Sequence, residues 1–251
     1  MSGHSKWATI KHKKAAQDSK RGKIWTKLVR EIAIAAKMGG GNPDSNPRLR
    51  KAVDDAKSEN MPLENVKRAI QRGTGELPGA VYEDLTFEGY GPGGVAVFCE
   101  GNTDNRNRTT NQVRKIYEDF GGNMGSTGCV AFLFERKGFI TVKQGTVTEE
   151  SLMDLVLELG AEDLKAGGSD FEIVTPPLDM EKVRDALKAK GIAVDAATVT
   201  MIPKTTIPVD AAAAGRVLKL VDALDEHDDV AHVYANFDIP DEVMATLEKS
   251  A

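Results

Sequence analysis

A cluster of basic residues at the start of the chain could bind a negatively charged ligand. Nine cations lie between Met1 and Arg30, and Asp18 is the one acid among them. This stretch carries a net charge of +8, whereas the whole chain of 251 residues carries −5, so the rest carries −13. Such a separation is typical of an element that binds a polyanion, which we take to be nucleic acid. The alternative is a solvated helix face, although acids are normally interspersed on such faces.

Two further features could extend this surface. Trp7 could stack on an unpaired base, or it could pack as a hydrophobic staple against the first helix. Arg106 and Arg108 lie with two asparagines just before a predicted helix, where a phosphate group could bind. The alternative there, given equal weight, is a capping turn whose arginines face water. The predicted nucleic-acid-binding residues are Lys6, Trp7, Lys11, Lys13, Lys14, Lys20, Arg21, Lys23, Lys27, Arg30, Arg106 and Arg108.

No pattern indicates an enzyme. Residues 89–94 (GYGPGG) match G-x-G-x-x-G, but a strand follows them where a dinucleotide site needs a helix, so we interpret them as a hairpin turn. None of the four histidines pairs with a cysteine or a second histidine at metal spacing, and His227 is expected at a solvated helix end. Cys99 and Cys129 lie in apolar runs and are expected as reduced, buried thiols. We therefore predict no catalytic residues, no cofactor and no metal.

Three helices are predicted in residues 1–78. The first runs from about Ser19 to Met38, with apolar residues at helical spacing and its cations on a second stripe of the same cylinder. Asn46 is expected to cap the second helix, and Pro62 to open the third. Three cations of the third helix are expected to point outward, namely Lys67, Arg68 and Arg72. Trp25 is expected in the core of this part. Residues 1–78 are thus predicted to form a small helical domain with a basic surface.

The rest of the chain alternates strands and helices. Strands are predicted at 81–90, 95–100 and 129–135, with a helix at 109–120. Residues 137–204 read as β-α-β-β-α-β, the ferredoxin-like pattern. The helix and strand that follow have no partners in that finished unit, so we predict that 205–240 returns to complete 79–136. The expected fold class is α+β: an N-terminal helical domain, then two ferredoxin-like α/β domains, one inserted in the other.

The amino-acid composition limits the class of protein to which the chain can belong. Hydrophobic residues make up 41% of the chain and charged residues 28%, which is ordinary for a soluble globular protein. The longest apolar run near the start, Ile32–Ala36, is too short for a membrane span or a signal peptide. We expect a cytoplasmic protein with no membrane partner and no small-molecule substrate.

Several segments together carry a family resemblance. They are GHSKW (3–7), KHKKAAQDSKRGK (11–23), GGGNPDSNPRLR (39–50), EGYGPGG (88–94), TDNRNRT (103–109) and GGNMGSTGCVAFLF (121–134). In these the chain resembles the YebC/PmpR family from residue 2 to about 245. The resemblance implies three domains, one α/β unit being inserted in the other, and a cytoplasmic protein. It also implies a probable DNA-binding transcriptional regulator, although a mitochondrial branch activates translation and bacterial members have been linked to the ribosome.

Three functions stay open at this point. The first is a non-enzymatic regulator that binds DNA, which the resemblance favours. The second is a translation factor that binds ribosomal or transfer RNA. The residues favour this one, because the first helix presents mainly lysine and lacks a side-chain set for reading base edges. The third, a remote alternative, is an enzyme acting on a nucleotide or an RNA end in an interdomain cleft.

Overall fold

The computed structural model describes residues 21–145, 147–167, 170–240 and 243. The longer elements are the helices α1 (Arg21–Gly39), α2 (Pro47–Ser58), α3 (Leu63–Thr74), α4 (Arg106–Asp119), α5 (Glu149–Glu158), α6 (Met180–Ala189) and α7 (Ala211–Asp225), and the strands β1 (Glu83–Tyr90), β2 (Ala96–Thr103), β4 (Phe134–Lys143), β5 (Asp163–Gly167), β6 (Asp170–Thr175), β7 (Val194–Pro203) and β9 (Val230–Ala235). Three strands of two residues complete the set, namely β3 (Asn123–Met124), β8 (Ile207–Pro208) and β10 (Phe237–Asp238).

The helices α1 to α3 form the helical unit (residues 21–78). Ile32, Leu49 and Ala56 are fully buried in its core, and Trp25 packs against it. Asn46 caps α2 by accepting a hydrogen bond from the Leu49 N–H, while its own amide donates to the carbonyl of Ala35 at 2.7 Å. The start of α2 is therefore tied to the end of α1 by a single side chain.

The first sheet has the strand order β3-β1-β2-β9, with antiparallel neighbours. Its core lies between this sheet and the helices α4 and α7, where Tyr117, Leu220 and Leu224 are fully buried. The β1–β2 connection is a tight turn in which Gly93 and Gly94 have φ values of +72° and +75°. The glycine-rich segment is therefore a hairpin turn that needs positive φ, as predicted.

The second sheet has the order β5-β6-β4-β7, all antiparallel, and α5 and α6 cover one of its faces. This is the ferredoxin-like arrangement, and it lies in the chain between β3 and α7. Because β9 then pairs with β2, the chain returns to the first sheet after the second is complete. The α+β fold with one α/β unit inserted in the other is thereby confirmed; the exact domain boundaries (1–78, 79–136 plus 205–240, 137–204) stay predictions.

One predicted strand is wrong. Cys129–Glu135 is mostly a turn and a short 3-10 helix, Ala131–Leu133, and the strand β4 begins only at Phe134. The physical reason is the buried Glu88, whose carboxylate accepts from the backbone N–H groups of Gly128, Val130 and Ala131 at 2.6 to 2.8 Å. A side chain thus satisfies backbone donors that a strand neighbour would otherwise occupy.

Candidate nucleic-acid interface

The structure describes only some of the predicted nucleic-acid-binding residues. Lys6, Trp7, Lys11, Lys13, Lys14 and Lys20 lie outside the described residues, and Arg21 begins α1. The remaining members are Lys23, Lys27, Arg30, Arg106 and Arg108, whose surroundings are described below. A role in nucleic-acid binding stays a prediction for all twelve.

Helix α1 is packed on two opposite sides. Its apolar stripe, which includes Leu28, Val29 and Ile32, faces α2 and α3. Lys23, Lys27 and Arg30 fall at helical spacing on the other side. They contact the acidic loop (Asp225–Asp229), which follows from the end of α7. The described part of the predicted cationic stripe therefore faces another part of the protein.

The lysines bind the carboxyl-terminal end of α7. Lys23 Nζ donates to the carbonyl of Glu226 at 3.3 Å, and Lys27 Nζ donates to the carbonyl of Asp225 at 2.5 Å. The last carbonyls of a helix have no partner within the helix and carry a partial negative charge, so cations are favoured there. The two lysines thus complete the end of a helix that lies about two hundred residues later in the chain.

Asp229 is the centre of a buried polar cluster. Only 3% of its side chain is exposed, and Arg30 Nη1 lies 2.6 Å from its Oδ1. Its Oδ2 accepts from Arg108 at 2.7 Å, from the Thr109 hydroxyl at 2.5 Å and from the Thr103 hydroxyl at 3.1 Å. Burial raises the pKa of this carboxyl, but the hydrogen bonds from Thr109 and Arg108 and the charge of Arg30 outweigh burial and hold the pKa below its ordinary value.

His227 is half-buried beside this cluster, so the expected solvated position is wrong. Its Nδ1 accepts from the backbone N–H of Asp229 at 3.1 Å, and its Nε2 lies 3.1 Å from Gln112 Oε1. An accepting Nδ1 places the proton of the neutral ring on Nε2, which can donate to that amide oxygen. Burial lowers the pKa of the imidazole. The ring also lines an open cleft of about 460 Å³ together with Lys23, Arg30 and Arg108.

The segment before α4 is a helix cap, and its arginines are paired. Asn105 Oδ1 accepts from the Arg108 N–H at 3.1 Å, as the capping alternative requires. Arg106 lies 3.0 Å from Glu83, and Arg108 lies 2.8 Å from Asp104 in addition to its contact with Asp229. Both arginines are exposed, as the capping alternative expected, and each also pairs with a carboxylate at the surface.

A second polar cluster joins the helical unit to the first sheet, and no sequence pattern predicted it. The Arg48 guanidinium contacts Glu31 at 2.7 Å and Asp84 at 2.8 Å, while Asn102 donates to Asp84 at 2.8 Å. Hydrogen bonds to Asp84 and Glu31 raise the pKa of Arg48. The planar guanidinium group of Arg48 contacts one carboxylate on α1 and one on β1. It thereby fixes how these two elements pack against each other.

The sequence did not indicate that the acidic loop contacts α1. Its sequence, DEHDD, holds four acids in five residues and follows the predicted helix 211–224. Opposite charges on this segment and on the basic helix suggest that the two could contact each other. The sequence alone does not show that they are close in space.

The metal-ligand clusters, the cysteines and the hydropathy of the helices can be assessed over the described residues. Among them, no group of three His, Cys, Asp or Glu side chains is arranged to hold a metal ion. Cys99 is buried and free, and Cys129 is free and partly exposed, against the expectation that both would be buried. None of the described helices combines the length and hydropathy that a membrane crossing requires.

Comparison with known proteins gives the family. The model of the TACO1/YebC N-terminal domain matches residues 5–76, and the model of the TACO1/YebC second and third domain matches residues 82–237. A protein of Elusimicrobium minutum named "Probable transcriptional regulatory protein" is 52% identical over 250 residues, which cover 99% of this chain and 100% of that protein. A protein of the same name from Dictyoglomus turgidum is 53% identical over 248 residues, covering 98% of this chain and all of the relative.

A solved structure shares the fold. The crystal structure of a conserved hypothetical protein from Aquifex aeolicus superposes with a TM-score of 0.78 at 47% identity, covering 90% of this chain and 94% of that one. The two family models together account for most of the chain, and the second begins one residue before the first sheet. The chain belongs to the TACO1/YebC family.

Proposed function

We propose that this protein is a non-enzymatic regulator of gene expression that acts in the cytoplasm and binds nucleic acid through its basic N-terminal stretch. The observation that carries the proposal is the charge separation: +8 in the first thirty residues against −13 in the rest. The names of the relatives, probable transcriptional regulatory proteins, agree with a regulator.

The proposed contacts are to phosphate groups. Lysine and arginine bound to phosphates set affinity and orientation and carry little sequence information. Lys6, Lys11, Lys13, Lys14 and Lys20 would supply several of them. Lys23, Lys27 and Arg30 already have carbonyl or carboxylate partners, so each of them would have to exchange that partner for a phosphate.

A second candidate is a translation factor that binds ribosomal or transfer RNA, and the packing of α1 favours it. A DNA reader inserts one helix into the major groove and presents side chains to base edges. Helix α1 has α2 and α3 on one side and the acidic loop on the other, which leaves no broad face for a groove. Binding to A-form RNA through phosphates and shape needs no such face.

The proposed function is tested by binding at several salt concentrations. Fluorescence anisotropy is measured with labelled DNA and RNA duplexes of the same sequence, about two helical turns long. If about six phosphates are neutralised, log K falls with log salt at a slope near −5. Lys13→Glu, Lys14→Glu and Lys20→Glu together should abolish binding. The matched control replaces Lys188, Lys190 and Lys219 by glutamate. These lysines are exposed on α6, just after its end and on α7, respectively. The control should bind as the wild type does.

Sedimentation of cell lysate on a sucrose gradient, with and without RNase, separates the two candidates. Co-migration with ribosomal particles that RNase abolishes supports the translation factor. Sedimentation at the top of the gradient, with salt-sensitive retention on DNA, supports the transcriptional regulator. Wild-type protein that binds neither duplex at about 50 mM salt, where phosphate contacts are strong, contradicts the proposed function in both forms.

A further inference from the structure

The lysines and arginines of the helical unit differ in whether they have a hydrogen-bond or ion-pair partner within the protein. Eleven lysines and arginines lie in residues 22–78. Eight have partners: Lys23, Lys27, Arg30 and Arg48 as described above, Lys37 with the Tyr82 carbonyl, Arg50 with the carbonyls of Pro43 and Asp44, Lys51 with Asp55, and Lys57 with Asp54. The other three, which have no hydrogen bond or ion pair within the described part of the chain, all belong to α3.

These three cations form one face of α3. Lys67, Arg68 and Arg72 are exposed, and Gln71 lies between them at the helical spacing i, i+1, i+4 and i+5. Glu64, one turn earlier, is the acid of this helix, so α3 carries a net charge of +2. Arginine and lysine that lack carboxylate partners remain able to donate every N–H to an incoming anion.

The packing of α3 directs this face away from the acidic loop. Val66 and Ala69 are buried toward α1, and Gly73 lies so close to α1 that a Cβ there would be 2.2 Å from the Ala33 carbonyl oxygen. The acidic loop contacts α1 on its opposite side, through Lys23 and Lys27. Helix α1 therefore separates the α3 face from the carbonyls and carboxylates that occupy the other cations.

We propose that the outer face of α3, formed by the exposed Lys67, Arg68 and Arg72 and the half-buried Gln71, is a binding site for the phosphate backbone of nucleic acid. The inference rests on the proposed function and names a surface for it on the folded helical unit. Guanidinium groups bind phosphate oxygens in a bidentate manner, and the lysine acts as a point charge beside them. The glutamine amide can donate to a phosphate or sugar oxygen between the cations.

The test removes the three charges without reversing them. Lys67→Ala, Arg68→Ala and Arg72→Ala together delete three phosphate contacts, and alanine is favourable in an exposed helix. Each contact contributes about 0.9 to the salt slope on a duplex, so the slope becomes shallower by about 3. Between about 50 and 200 mM salt the variant should therefore lose roughly 40-fold less affinity than the wild type loses. The control replaces Lys188, Lys190 and Lys219 by alanine and should keep the wild-type slope.

The outcomes separate this site from the proposed function. If the wild type binds neither duplex, both proposals are overturned. If it binds and the α3 variant shows the same affinity and slope, the α3 site is wrong while the proposed function stands. Thermal unfolding by circular dichroism verifies that the variant is folded, and the set Lys67→Gln, Arg68→Gln and Arg72→Gln replaces it in the binding test if it is not.

Discussion

Arg30 on the first helix and Asp229 after the last long helix form an ion pair 2.6 Å across, with 14% and 3% of their side chains exposed. Most of the chain lies between these two residues. Because Asp229 also accepts from Arg108, Thr109 and Thr103, the pair connects the helical unit to the start of α4 as well. The first helix is thereby fixed to the first α/β unit. The residues that make this contact were predicted from the sequence to form a free cationic face.

Replacing Asp229 by asparagine should destabilise the fold. The amide keeps the shape but leaves Arg30 and Arg108 without their common carboxylate. Loss of one partner from a buried ion pair costs about 3–5 kcal/mol, and the partial exposure of Arg108 favours the lower end, about 3 kcal/mol. The free energy of unfolding in urea at neutral pH measures the difference.

The neighbouring Asp228 gives a matched control. Its side chain is exposed, and it accepts from Arg30 through its backbone carbonyl, which Asp228→Asn retains. This variant should unfold within about 0.5 kcal/mol of the wild type, as ordinary surface substitutions do. Equal stability losses in the two variants would show that the Asp229 carboxylate has no special contribution.

Stability should fall in mildly acidic solution because of His227. Burial lowers the pKa of this imidazole below its ordinary value of 6.5, so the folded state favours the neutral ring. The stabilisation is present above pH 6.5 and is lost as the pH falls from there toward the folded-state pKa, because the unfolded chain takes up the proton first. His227→Gln removes this contribution.

The measurement is urea unfolding of the wild type and His227→Gln at several pH values from about one unit above the ordinary histidine pKa to about one unit below it. The wild type should lose more stability than the variant over this interval. Asp228, Asp229, Lys27 and Arg108 act on the ring through their charges. They are present in both proteins, so their influence on the rest of the fold is common to the pair. Parallel pH dependences of the two proteins would contradict the assignment.

Gly73→Ala should weaken the contact between α1 and α3. The new Cβ would lie 2.2 Å from the Ala33 carbonyl oxygen and 2.8 Å from the Ala36 Cβ, so the helices must separate. Overpacking of this kind costs about 1–3 kcal/mol. Gly22→Ala is the control in the same unit, since no atom of the described residues lies within 4 Å of the position that its new methyl group would occupy. Alanine is also the better helix former by about 1 kcal/mol.

Thermal unfolding should therefore shift in opposite directions for the two glycine variants. A stabilised Gly73→Ala would mean that the helices are free to move apart, and the orientation of α3 against α1 would have to be reconsidered.

Arg48→Lys should loosen the attachment of the helical unit to the first sheet. A lysine cannot contact Glu31 and Asp84 with the planar fork that Arg48 uses. The groups are partly exposed, so we expect a loss of about 1 kcal/mol. Arg50→Lys, which changes an exposed arginine bonded to backbone carbonyls, should have a smaller effect. Limited proteolysis between residues 75 and 82 gives a second readout, because cleavage there should accelerate only in the Arg48 variant.

Local sequence patterns predict most of the longer elements and their order, apart from the strand expected at 129–135. Apolar spacing predicted the end of α1 to within one residue, and Asn46, Gly93 and Gly94 have the roles their residue types indicate. These features depend on neighbours a few residues away, so local patterns suffice. The ferredoxin-like form of the second sheet followed from counting elements, as did the return of the chain to the first.

Which of the charges have a partner depends on the tertiary structure. Lys23, Lys27 and Arg30 look alike in sequence to Lys67, Arg68 and Arg72, yet the first set contacts the acidic loop and the second has no partner within the described residues. The difference depends on groups about two hundred residues away, and no local pattern encodes that distance. The backbone partners of Glu88 lie about 40 residues away in the chain, which is also beyond the reach of a local pattern. Electrostatic contacts follow proximity in space, and only the fold brings these residues together.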